Sequence, residues 1–204
     1  MRTLCTPAQA RPPHLGEGVD ADTIEALCVA ASALIARVCG YPTPSASAAP
    51  TMLSTAYTLI MDSPGGRNLP LPVWPVTAVS SVYDDPGGDF ETVDLVDAAD
   101  YAIKYLPGAG WVLRLTKDST LGEWSRGRQC IQITFTAGYV DPPEALVQSA
   151  VALVRHLYEQ RSATRQESAS VGGASYAMGA PAGVPDWIRA MLAAGGYILP
   201  RAAL

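Results

Sequence analysis

The spacing of apolar residues changes period twice along this chain, and that change restricts the fold more than any single motif. Between Val19 and Gly40, the residues Ile24, Leu27, Cys28, Ala31, Leu34, Ile35 and Val38 recur at helical spacing. Asp20 or Asp22 can cap this helix, with Glu25 three residues after Asp22, and Gly40, Pro42 and Pro44 end it. From 51 to 136 the period falls to two. After Gly138 the helical period returns: Leu146, Val147, Ala150, Val151, Leu153, Val154, Leu157 and Tyr158 form a wide stripe on a helix near 142–161, with Pro142 and Pro143 expected in its first turn. A short C-terminal helix follows, opened by Pro185 and Asp186, carrying Trp187, Ile188, Met191 and Leu192, and stopped by Gly195 and Gly196. The predicted class is α+β: a small helical core of these three helices with a β-rich hairpin insertion in the middle.

Within the middle, turn dipeptides bound the short Val, Ile, Tyr and Thr runs. Tyr57, Leu59 and Met61 alternate before Pro64-Gly65-Gly66, which is expected to turn. Leu69, Leu71 and Val73 alternate among Pro70, Pro72 and Pro75, which demote that run to an edge strand or an extended connector. Val76 to Tyr83 runs into Asp84-Asp85-Pro86-Gly87-Gly88. Tyr101 to Tyr105, a turn over 107–110, and Trp111, Leu113 and Leu115 read as a hairpin. Ile131, Ile133 and Phe135 face one way, and Gln132, Thr134 and Thr136 the other.

With 204 residues, of which 49% are hydrophobic, the chain suits a single domain over 1–204. Residues 1–18, with Pro7, Pro12 and Pro13, are expected to be an extended arm without core. Residues 19–161 form the core around the β-rich middle 51–136, residues 162–183 a flexible Gly/Ser-rich loop, and 184–204 the C-terminal helix and tail. No secretory h-region follows Met1, and no uncharged apolar run approaches the roughly 20 residues that span a bilayer, so an intracellular chain without membrane contact is expected.

Fourteen Lys plus Arg against nineteen Asp plus Glu give a net charge of −5, which disfavours tight binding to nucleic acid. Cys5, Cys28, Cys39 and Cys130 lack the short spacings of a zinc site. Cys28 and Cys39 fall roughly 16 Å apart on one helix, too far for a disulfide, and read as small buried residues. His156 is expected to hydrogen-bond Glu159 or Gln160 on its helix. Cys130 is a nucleophile only if His156 and an orienting group converge on it. The acidic run Asp84, Asp85, Asp89, Glu91, Asp94, Asp97 and Asp100 lacks the order of a calcium loop and is read as solvated turns. The glycine pairs at 65–66, 87–88 and 172–173 are read as turn glycines, because none belongs to a phosphate-binding pattern. Trp124 with Arg126 and Arg128 could contact a phosphate backbone, but such a trio is common on any surface and the chain is acidic. No catalytic residue, metal or cofactor is therefore assigned. Trp187, Ile188, Tyr197, Ile198 and Leu199 form the candidate partner-binding patch, and the long helix leaves room for a second contact face.

The segment Ile131-Gln132-Ile133-Thr134-Phe135-Thr136-Ala137-Gly138-Tyr139-Val140, then Pro142-Pro143, then the helix closing in His156-Leu157-Tyr158-Glu159-Gln160-Arg161, resembles the tailed-phage head-to-tail connector, or adaptor, family. The early helix ending at Gly40, the run from Leu69 to Val76, the Tyr101 strand and the Val184-Pro185 helix fall in the same order, so the resemblance covers roughly 19–200. The long 162–183 loop and the ending Tyr197-Ile198-Leu199-Pro200-Arg201 depart from it. The resemblance implies a structural, non-enzymatic protein of a tailed phage or a phage-derived gene transfer agent. It implies a dodecameric homo-oligomeric ring under the portal protein, joining the DNA-filled head to a tail-side neck, stopper or tail-terminator protein. Such a ring lines the DNA channel without gripping the duplex, and resides in the virion neck after synthesis in the bacterial host cytoplasm. Portal contact would fall on the C-terminal segment, with Met191 and Arg201 joining Trp187, Ile188, Tyr197, Ile198 and Leu199. The alternatives are a small enzyme using Cys130 and His156, or a tail-completion or capsid-decorating protein.

Overall fold

The structure, a computed structural model, describes residues 3–11, 19–45, 48–107, 110–166 and 183–198. The chain is mixed α+β with a strand-rich middle, as its changes of period predict. Contacts divide it into two compact units where the sequence predicts one domain. One unit comprises the described residues of Met1–Cys39 and Asp141–Ile198, and the other those of Gly40–Val140.

The first unit is helical. Asp20, not Asp22, caps α2 (Ala21–Val38), its carboxylate accepting from Thr23 N at 3.3 Å. Ile24, Cys28, Ala31 and Ile35 are fully buried along one stripe. Gly40, at φ +86, carries the chain out of the helix. α3 spans Glu144–Gln166. Pro142 and Pro143 precede this helix and do not fill its first turn; the carbonyl of Pro143 accepts from Leu146 N and Val147 N. The helix also runs past 161, so the expected loop loses its first residues to α3, and most of the rest lies outside the described residues. Leu146, Ala150, Leu153 and Val154 are fully buried.

The N-terminal segment corrects the expectation of a coreless arm. Leu4, Cys5 and Ala10 are buried, and α1 (Pro7–Ala10) carries a capping box between Thr6 and Gln9. Leu4 N donates to Ser32 Oγ at 2.9 Å, and Ser32 Oγ donates to the Cys28 carbonyl at 2.7 Å. Apolar residues too few to show a period still find a place against α2, because a partly buried hydrogen bond from Leu4 N to Ser32 Oγ sets their register.

The second unit holds two three-stranded antiparallel sheets. In the first, β6 (Trp124–Ala137) lies between β1 (Thr55–Gly66) and β3 (Val76–Asp84). Tyr57, Phe135 and Val79 share one register row, and the Tyr57 and Phe135 rings stack at 5.7 Å between centroids. Ile131, Ile133 and Phe135 are fully buried, as their alternation predicts. β6 starts well before that run, because Gln129 at φ +50 forms an irregularity that interrupts the alternation. Its N–H donates to Asp62 Oδ1 at 2.8 Å.

The second sheet is β2 (Asn68–Pro70), β5 (Gly110–Leu115) and β4 (Tyr101–Leu106) in that order. The proline-rich β2 is an edge strand, as expected. Gly65 and Gly66 are not the predicted turn: both lie within β1 at φ +80, with Pro64 opposite Arg126 and Gly66 opposite Trp124. β1 ends there and the chain passes through Arg67 into the other sheet. The Gly87-Gly88 pair does sit in a turn, while 172–173 lies outside the described residues.

Candidate interaction surface

The carbonyl of Pro185 starts α4 (Asp186–Ala194), accepting from Ile188 N and Arg189 N. Val184, Ile188 and Leu192 recur every four residues and are buried within their unit. Trp187 and Met191, also four apart, occupy the other side and are 52% and 42% exposed. Ile198, beyond the left-handed Gly196, is 39% exposed. The predicted patch thus divides. Trp187, Met191 and Ile198 present apolar surface, Tyr197 is half-buried, and Ile188 is fully buried, so it serves the core and not the surface. Leu199 and Arg201 lie outside the described residues.

Trp187 also forms one wall of a groove of about 380 Å³ whose other lining is a face of α3: Gln148, Val151, Ala152, Arg155, His156 and Glu159. Their spacing of three and four marks one side of a helix, distinct from the stripe through Leu146, Ala150, Leu153 and Val154. This face lies apart from the buried stripe of the same helix. Its floor is Val151 and Ala152, and its polar rim is tied along the helix. Arg155 Nε donates to Glu159 Oε1 at 2.7 Å, Gln160 Nε2 lies 2.9 Å from His156 Nε2, and Gln148 Nε2 donates to Glu144 Oε1 at 2.6 Å. An apolar floor beside an exposed indole, rimmed by groups that need no new partner, suits a partner's apolar side chain.

The residues weighed for chemistry have other roles. Cys130 and His156 belong to separate units, and each has neighbours within its own. Cys130 Sγ donates to the Ser125 carbonyl at 3.6 Å, and burial pushes its thiol up, away from the thiolate form a nucleophile needs. Burial likewise pushes the Cys39 thiol up to about 12. All four cysteines are free and buried. Trp124 is only 2% exposed, so its ring is closed to stacking on a base, against the phosphate-contact reading.

In the acidic run, Asp85, Asp94 and Asp97 hold local turns, whereas Asp84 accepts from Ser125 N and Asp100 reaches across to Thr120. Asp85 accepts from Gly87 N, Asp89 N and Phe90 N, Asp94 from Glu91 N, Asp97 from Ala99 N, and Asp100 from Thr120 N and Oγ1. Among the described residues, no three His, Cys, Asp or Glu side chains group to hold a metal ion. No helix there is long and apolar enough to cross a membrane.

Sequence comparison matches residues 16–194 to a family described as head completion protein. No curated protein sequence matches the chain.

Proposed function

From the premise that this chain belongs to the head completion protein family, a structural family of phage head assembly, we propose that it is the head-tail adaptor. In this reading, copies of the chain close into a ring, twelve in number, under the portal protein, joining the DNA-filled head to the tail-side neck protein and lining the DNA channel. Ring closure requires unlike surfaces on each copy that meet around a rotation axis. Portal contact is assigned to the C-terminal face, through Trp187, Met191 and Ile198, with Tyr197, Leu199 and Arg201 continuing it along the sequence. The particle is a tailed phage or a phage-derived gene transfer agent.

The observation that carries the reading is the exposed Trp187 and Met191 pair on α4, beside the groove along α3. Exposed indole and thioether groups next to an apolar floor are the composition of a protein-binding anchor. The net charge of −5 suits a conduit, since a surface that repels phosphate lets DNA pass.

Quantitative mass spectrometry of purified tailed particles, measuring this chain against the portal subunit, tests the reading. A ratio near one is expected. Absence from the particle, or a copy number that tracks the major capsid protein, rejects the neck position.

A further inference from the structure

We propose that Cys5 and Cys28 form an oxidisable dithiol, a modification site at which a peroxide closes a disulfide that fastens the N-terminal segment to α2. The two sulfurs are 23 residues apart in sequence and 3.7 Å apart in space, with the Cys5 S–H donating to Cys28 Sγ. A disulfide needs about 2.05 Å between sulfurs, so side-chain rotation has to close less than about 2 Å. The pairing is built. Leu4 N on Ser32 Oγ, and Ser32 Oγ on the Cys28 carbonyl, hold the residue before Cys5 against the turn after Cys28. Thr3 Oγ1 on the Cys5 carbonyl at 2.7 Å and the Thr6–Gln9 capping box fix the chain on either side. Cys39 is out of reach, roughly 16 Å further along the α2 axis at about 1.5 Å per residue.

The chemistry balances with hydrogen peroxide as oxidant. The hydrogen bond from Cys5 holds the Cys28 thiol below its usual range, so Cys28 is the first to ionise. Its thiolate attacks one peroxide oxygen: an S–O bond forms, the O–O bond breaks, and the released hydroxide takes up the thiol proton as water. Cys5 sulfur then attacks Cys28 sulfur. The S–S bond forms, the S–O bond breaks, and the leaving hydroxyl departs as water with the Cys5 proton. Two thiols lose two electrons, and one peroxide becomes two waters. Both sulfurs are buried, so the reagent reaches them during local opening of the short Thr3–Arg11 segment. A particle assembled in a reducing cell and released into an oxidising medium would acquire this crosslink after assembly. That consequence rests on the adaptor reading, whereas the crosslink itself does not.

The test uses the full-length reduced protein with equimolar hydrogen peroxide, alkylation of the remaining thiols, and digestion by trypsin together with a glutamate-specific protease. The expected product joins peptide Thr3–Glu17 to peptide Ala26–Arg37, disappears on treatment with dithiothreitol, and leaves Cys39 and Cys130 alkylated. The same crosslink forms in Cys39→Ser. In Cys5→Ser it is lost, and the one equivalent of peroxide leaves Cys28 at the sulfenic acid. Closing a loop of this length is expected to raise the thermal midpoint by about 5–10 °C. Full alkylation of Cys5 and Cys28 after peroxide, or linkage of either to another cysteine, overturns the dithiol. An unchanged midpoint in the crosslinked protein overturns the fastening. A failed neck position in the particle measurement changes neither result.

Discussion

Gly138 and Leu53 approach so closely that a β-carbon on Gly138 would lie 2.6 Å from the Leu53 carbonyl oxygen. Gly138 holds φ +106, and its flanking groups are bonded on both sides. Its N–H donates to the Pro75 carbonyl at 2.8 Å, Tyr139 N to the Met52 carbonyl at 2.8 Å, and Ser54 N to the Tyr139 carbonyl at 2.9 Å. The glycine of the Thr136-Ala137-Gly138-Tyr139 element is thus required twice, by a left-handed backbone and by a neighbouring main chain that leaves no room. Gly138→Ala is expected to destabilise the protein by about 2–4 kcal/mol, read from the midpoint of urea unfolding. A loss under about 0.5 kcal/mol would show that the Met52–Leu53 segment can move aside.

Ile188 and Trp187 are adjacent in sequence and opposite in role. Ile188→Ala removes a fully buried side chain and is expected to cost about 2–5 kcal/mol in denaturant unfolding. Trp187→Ala, at a half-exposed position, is expected to change stability by less than about 1 kcal/mol, yet to lower incorporation into particles at least tenfold. Normal incorporation of Trp187→Ala would remove α4 from the partner surface.

Asp85 makes stability depend on acid. The N–H groups of Phe90, Gly87, Asp89 and Gly88, that of Phe90 foremost, hold its carboxyl below the ordinary carboxylate value. A depressed folded-state value contributes stability that is complete above the unfolded pKa of about 3.9 and is lost as pH falls through the lower folded value. Asp85→Asn is therefore expected to melt below the wild type at pH 6, with the gap narrowing as pH falls below about 4. A gap that stays constant from pH 6 to pH 2 would mean that the turn is held without the charge.

Ser32 is the bridge between the N-terminal segment and α2. Ser32→Ala leaves Leu4 N and the Cys28 carbonyl without their shared hydroxyl and is expected to cost about 1 kcal/mol. Faster hydrogen exchange at the Leu4 amide, with exchange in α3 unchanged, is the expected signature. Equal acceleration throughout the helical unit would show instead that the segment unfolds only with the whole.

The elements that were legible in the sequence are those whose pattern is local. α2 declares itself through Ile24, Cys28, Ala31 and Ile35 at helical spacing with Asp20 before and Gly40 after. β6 declares its second half through Ile131, Ile133 and Phe135, and β2 declares its edge position through Pro70. The first half of β6 was hidden because Gln129 breaks the alternation. The turn assigned to Gly65-Gly66 failed for a related reason: two left-handed glycines can reverse a chain or steer it from one sheet to another, and only the partner strand decides which.

The candidate surface divides in the same way. Apolar residues on α4 identify an amphipathic helix, but whether Trp187 or Ile188 faces outward depends on which side α3 covers. The groove face of α3, from Gln148 to Glu159, carries a polar helical pattern that takes meaning only when Trp187 stands opposite it. By itself, then, the sequence determined the helices, most strands, the α+β class and the family likeness, because periodicity, caps and turn residues act within a few positions. The tertiary structure alone decided the division into two units, the order β1, β6, β3, the burial of Leu4 and Cys5, and the meeting of Cys5 with Cys28. Each of these depends on contacts between residues tens of positions apart, and no local pattern records such a pairing.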